Sequence, residues 1–189
     1  MSRKPIILHQ FHDKDFFTPS WEIKYLFLGT FNPNEGEKVN YFYSRKTNLL
    51  WPTLSKIFQD EFNPNNLDFF KKLKSHKIAC MDLISSIDIK DLDKKYILGK
   101  GYSDSKIINN SVKRIYNTEN ILSVINKNPD IQLYSTWGNG SNLKDWKNEI
   151  KKLPPITKLK SPSRAARVPK EEKKELFIFN NWKNNISFQ

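Results

Sequence analysis

The chain has 189 residues, 38% of them hydrophobic and 13% aromatic, and 32 Lys and Arg against 20 Asp and Glu give it a net charge of +12. That length and apolar content suit one globular domain spanning residues 1–189 and exclude an intrinsically disordered chain. A single cysteine, Cys80, excludes a disulfide framework and any four-cysteine zinc or iron–sulfur site within the chain, and no apolar run reaches the roughly 20 residues of a membrane span.

The polar opening MSRKP carries no signal-peptide core, so a cytoplasmic setting is expected. The positive charge favours a polyanionic partner, nucleic acid before an anionic membrane, although a lysine-rich composition alone also produces such a surface.

The predicted elements follow in chain order. KYLFLGTF (24–31) is an apolar run ending at Gly and Asn-Pro, the pattern of a strand buried on both faces that delivers a loop at its C-terminal end. NLLWPTLSKIF spaces Leu50, Leu54 and Phe58 four apart, a helix bent or restarted at Pro52. PNNLDFFKKLKSH reads as a second short helix, and KIACMDLI (77–84) as another buried strand. The polar, glycine-containing stretch 85–106 is long enough for a functional loop, and helical spacing returns in IINNSVKRIYNTENILSVINKN.

IQLYSTW (131–137) is a third strand, ended by Gly-Asn-Gly, and NLKDWKNEIKKL is an amphipathic helix with Leu143, Trp146 and Ile150 on one face. ITKLKS is a short fourth strand. PKEEKKELFIFNNWKNNI is a closing helix, with a proline and acidic residues in its first turn as the helix dipole prefers. Strands alternating with helices imply an α/β fold, a three-layer α/β/α sandwich around a mainly parallel four-stranded sheet. Ligands of such folds sit beyond the C-terminal strand ends, which directs attention to the loops after Phe31, Ile84, Trp137 and Lys160.

Those loops resemble the uracil-DNA glycosylase superfamily, and the likeness extends over most of the chain. LFLGTFNP resembles the first motif in the Gly-x-Asn-Pro form of the mismatch-specific (G:T/U) enzymes, with one residue more between Gly29 and Asn32. FYSRKTNLLWP resembles a segment shared by the mismatch-specific and hypoxanthine-DNA glycosylase branches, with Tyr43, Asn48 and Trp51 in register. LYSTWGNG resembles the strand-end Trp-Gly-Asn of the uracil-specific members. LKSPSRAAR resembles the second motif, with Ser161 in place of Asn, and IACMDLISSI sits where the family has a strand ending near an Asp. The second motif lacks a His, the first lacks an acidic residue, and the cluster cysteines are missing, so the mismatch-specific and hypoxanthine-type branches are nearest.

The resemblance implies a monofunctional, metal-independent DNA glycosylase without cofactor. It would act as a nucleoid-associated monomer on double- or single-stranded DNA with an extruded base, without a membrane partner. Uracil or hypoxanthine is the leading target. Bulky modified bases in foreign (phage) DNA are a second reading, which the small Ala165-Ala166 pair would accommodate, and a catalytically weak nucleic-acid-binding module of the same fold is a third.

Asn32 and Asn48 are the implied catalytic residues, since an amide carbonyl orients a water and an amide NH2 donates to the departing base. Each has an ordinary alternative: Asn32 as a turn residue before Pro33 and Asn48 as the cap of the helix at Leu49. Tyr43 matches the base-stacking aromatic, with core packing as its alternative. Phe31 is core or pocket wall, Asn139 contacts the base or makes a turn, and Asp82 is a secondary candidate near the pocket. Ser161, Ser163, Arg164 and Arg167 form the implied DNA-contact loop, with a solvated basic loop as the alternative. His9 and His12 lack a third ligand of clear spacing and read as structural. Without an acid or base in the first motif, the expected reaction is slow and amide-assisted.

Overall fold

A computed structural model describes residues 6–89, 107, 112–137 and 144–187. In chain order the described elements are β1 (Ile6–Leu8), a 3₁₀ turn (Asp15–Phe17), β2 (Tyr25–Gly29), α1 (Leu50–Phe58), α2 (Phe69–Ser75), β3 (Ile78–Asp82), β4 (Ile84–Asp88), β5 (Lys113–Tyr116), α3 (Thr118–Lys127), β6 (Gln132–Ser135), α4 (Lys144–Lys151), β7 (Thr157–Lys158) and α5 (Lys174–Asn185). The fold is α/β, with one four-stranded, all-parallel sheet in the order β3-β2-β6-β7.

Alternation along β2 explains the layering. Leu26 and Leu28 point to one face, where they share a core with Ile121 and Val124 of α3 and Trp146 of α4. Tyr25 and Phe27 point to the other and pack with Leu50 and Leu54 of α1, Leu73 of α2, and Ile178 and Trp182 of α5. Every residue of β2 and β3 is buried, as expected for parallel strands covered on both sides. Pro52 leaves α1 unbroken: it stands third in the helix, where backbone N–H groups have no intrahelical partner to lose.

Three expectations change. The stretch after Ile84 is not one long loop, because residues 84–88 form β4. The segment KRIY is not helical but forms β5, and with β1 these two strands build a separate antiparallel sheet, β1-β4-β5. The last helix starts at Lys174 rather than near Pro169. Glu172 N–H bonds to the Pro169 carbonyl in a turn ahead of it, so of the acidic residues only Glu175 lies in the first turn.

Because all four strands of the main sheet are parallel, their C-terminal ends share one edge. β2 leads through α1 and α2, on one face, to β3; β6 leads through α4, on the other face, to β7. The connections diverge between β2 and β6, the topological switch point where α/β sheets open a crevice.

Candidate active site at the C-terminal sheet edge

Gly29 ends β2 in register with Asp82 at the end of β3. A Cβ on residue 29 would collide with both Asp82 Oδ1 and the Tyr43 hydroxyl, so only glycine lets these two side chains lie over the strand end. The Tyr43 hydroxyl bonds to Thr136 at the end of β6, whose Oγ1 also contacts the Leu28 carbonyl at 3.2 Å. A threonine hydroxyl has one hydrogen, and a carbonyl only accepts, so Thr136 donates to Leu28 and Tyr43 donates to Thr136. Tyr43 holds φ 58°, a left-handed backbone uncommon for an aromatic residue. Its anchored ring spans the switch point from β2 to β6.

Behind Gly29 lies a polar cluster that the sequence does not announce. The segment after β1 pairs with the loop after β2: Gln10 N–H bonds to Asn32 O at 2.7 Å, Asn34 N–H bonds to Leu8 O at 3.0 Å, and His9 bridges Pro33. His9 thereby reaches Asp82, with Nε2 2.9 Å from Oδ2. The Phe11 N–H donates to His9 Nδ1 at 3.1 Å, so Nδ1 carries no proton and Nε2 is the donor to the carboxylate. The imidazole is enclosed by Phe11, Phe17, Phe31 and Phe42, with ring centroids 5.0–5.7 Å away. With both nitrogens engaged it is not free to ligate a metal, while His12 pairs with exposed Asp13. The structural reading of His9 thus becomes specific: it supports Asp82.

Asn32 Nδ2 donates to the same Asp82 Oδ2 at 2.9 Å. This bond fixes the amide, because the opposite orientation would set the amide oxygen against a carboxylate. The NH2 faces inward, and no donor among the described residues reaches Oδ1 of this half-buried side chain. Asn32 is therefore an oriented acceptor. Asp82 is 2% exposed, and its charge joins burial in pushing the Cys80 thiol well above its ordinary value.

Asn48 belongs to a second group. Its Oδ1 accepts the Leu50 N–H at 2.9 Å, closing a turn one residue ahead of the cap position at Leu49. Its Nδ2 has no acceptor among the described residues, so Asn48 tightens the start of α1 while offering a donor. Beside it, Leu49 N–H bonds to Pro162 O at 2.9 Å, tying the loop after β7 to α1. α5 holds the same loop from the other side: Trp182 Nε1 donates to Lys160 O and Lys160 N–H to Asn181 Oδ1, both at 2.8 Å.

Within that loop the Ser161 and Ser163 hydroxyl oxygens accept the N–H groups of Ser163 and Ala165, and neither O–H has an acceptor among the described residues. Arg164 and Arg167 are exposed, and the Arg164 carbonyl accepts Lys174 Nζ at 2.7 Å.

The sheet edge thus brings Asn32, Asp82 and Tyr43 into one cluster with Gly29, Thr136 and His9. Phe31 is a core residue at 2% exposure that contributes a wall to the His9 cage. Asn48 and the 161–167 loop form the adjacent group, and no hydrogen bond joins the two asparagines. Asn139 lies outside the described residues. Trp51 is core as expected, its Nε1 donating to Phe42 O at 2.8 Å.

No family model, curated protein or solved structure matches the chain.

Proposed function

We propose that the protein is a monofunctional DNA glycosylase of the uracil-DNA glycosylase fold type, which flips a deaminated base, uracil or hypoxanthine, and hydrolyses its N-glycosidic bond. The observation that carries this reading is the oriented Asn32 amide, held by Asp82 beside Gly29 at the switch point of a parallel sheet, its Oδ1 reached by no donor among the described residues.

The chemistry needs little covalent help. As the C1′–N bond breaks, the sugar becomes oxocarbenium-like and the base departs with negative charge. A water held by Asn32 Oδ1 attacks C1′, while an N–H donor such as Asn48 Nδ2 stabilises charge on the base. Tyr43 is held in one orientation by Thr136 and supplies a fixed ring edge at the pocket where the extruded base would be read. The net charge of +12 and the exposed Arg164 and Arg167, on a loop clamped by α1 and α5, supply phosphate contacts at the same sheet edge.

Incubation with duplex and single-stranded oligonucleotides carrying one uracil, hypoxanthine or bulky modified cytosine, followed by alkali, tests the reading. Cleavage at the uracil or hypoxanthine position is expected. Cleavage at the modified cytosine alone would move the activity to foreign DNA. DNA binding without strand cleavage on every substrate would replace the enzyme by a nucleic-acid-binding module.

A further inference from the structure

Resting on the glycosylase reading, we propose that Asp82 is the proton acceptor for the attacking water and that His9 is its positioning residue, so the reaction is carboxylate-assisted rather than carried by amides alone.

The two oxygens of Asp82 are used unequally. Oδ2 accepts from His9 Nε2 and from Asn32 Nδ2, each at 2.9 Å, whereas no donor among the described residues reaches Oδ1. A carboxylate at 2% exposure ordinarily has partners on both oxygens, because a buried charge without hydrogen bonds is costly. Here Oδ1, which no donor among the described residues reaches, lies over Gly29, where a glycine is required to make room for it. Packing alone gives no reason to place it there.

Asn32 Oδ1 and Asp82 Oδ1 are the two unused oxygens of side chains joined by one hydrogen bond. Together they present only acceptors. A water donating one hydrogen to each would turn a lone pair outward, toward C1′ of an extruded nucleotide. In the step itself, the water oxygen bonds to C1′ as the C1′–N bond breaks, and that electron pair leaves with the base. The water proton passes to Asp82 Oδ1. The departing base takes a proton from solvent, and Asp82 later returns its own to solvent. An amide cannot accept that proton, which a carboxylate does readily.

His9 serves this role by holding Oδ2. Its ring is caged by four aromatic side chains and its proton is fixed on Nε2 by the Phe11 N–H, so it cannot turn away from the carboxylate.

Among the described residues, the titratable groups facing Asp82 are His9 from the segment after β1, Tyr43 from the loop before α1 and Cys80 on its own strand; Asn32, Thr136 and Asn117 face the site as neutral groups. No cation among the described residues pairs with Asp82; His9 reaches it as a neutral donor through Nε2.

Single-turnover base release measured against pH, with wild type and variants, tests the assignment. Wild type should lose rate on the acid side with unit slope. Asp82→Asn should fall about 100-fold or more and lose that acid limb, while binding DNA with an abasic-site analogue within about threefold of wild type. Asn32→Ala should also be slow yet keep the limb, since the base remains. His9→Leu should be slow, and His9→Gln, which retains a donor toward Asp82, should recover much of the rate.

A flat wild-type profile, or an acid limb that survives in Asp82→Asn, overturns the role of Asp82, and equal rates for the two His9 variants overturn that of His9. Absence of base release by wild type on every substrate would instead sink the glycosylase reading, so the two failures are distinguishable.

Discussion

At the scale of single residues, the site depends on the atom that Gly29 lacks. Gly29→Ala would force its Cβ against Asp82 Oδ1 and the Tyr43 hydroxyl, and neither can retreat freely, since one side chain is buried and held by His9 and Asn32 and the other is bonded to Thr136. Overpacking of this kind costs about 1–3 kcal/mol. Urea unfolding should show a lower midpoint with an unchanged slope, and base release should suffer more than stability, because displacement of Asp82 also frees the Asn32 amide. Unchanged stability would mean that the crowding over Gly29 is readily relieved. In the sequence, the Gly-x-x-Asn-Pro turn was visible and its two useful residues could be named. His9 was not legible as part of the site: its partner is 73 residues away, and no local spacing encodes a pairing between the segment after β1 and the end of β3.

At the scale of elements, legibility followed the length and polarity of each segment. β2, β3 and β6 are apolar runs, and buried parallel strands leave that signature plainly. β4 and β5 do not. KRIY is four residues long with alternating exposure, too short to outweigh the helical spacing of the residues after it, and β4 pairs with β1 almost eighty residues earlier. The short α2 illustrates another device absent from any periodic pattern. The Asp60 carboxylate, between α1 and α2, lies 2.9 Å from Lys72 Nζ and 3.0 Å from His76 Nε2. The Lys72 and His76 bonds lower Asp60 from 3.8 to about 2. A depressed carboxylate contributes stability that is complete above its unfolded value of 3.8 and is lost as pH falls toward about 2. Thermal melting across that window should therefore drop more steeply for wild type than for Asp60→Asn, and the two curves should run parallel above it. The pair is half-buried and still reached by solvent, so the difference will be small, and high salt should reduce it further.

At the scale of the whole molecule, charge and clamping together specify how DNA would be held. A basic surface alone binds any polyanion and gives affinity without registration, because counterion release is independent of sequence. Registration requires cations on a segment that cannot drift, and the loop after β7 meets that condition: α1 fixes it at Pro162 and α5 fixes it at Lys160. Arg164 and Arg167 are exposed on this held segment, which the Leu49–Pro162 bond ties to the start of α1. If each arginine meets one phosphate, Arg164→Ala and Arg167→Ala should each weaken binding and reduce the slope of log affinity against log salt by about 1. The double variant should reduce it by about 2, with no change in which base is released. Affinity measured at two salt concentrations decides the matter. A uniform loss of affinity with an unchanged slope would assign these arginines to folding of the loop, and unchanged affinity would move the DNA contact to another part of the basic surface. A changed base preference would assign them to reading of the base rather than to the phosphates.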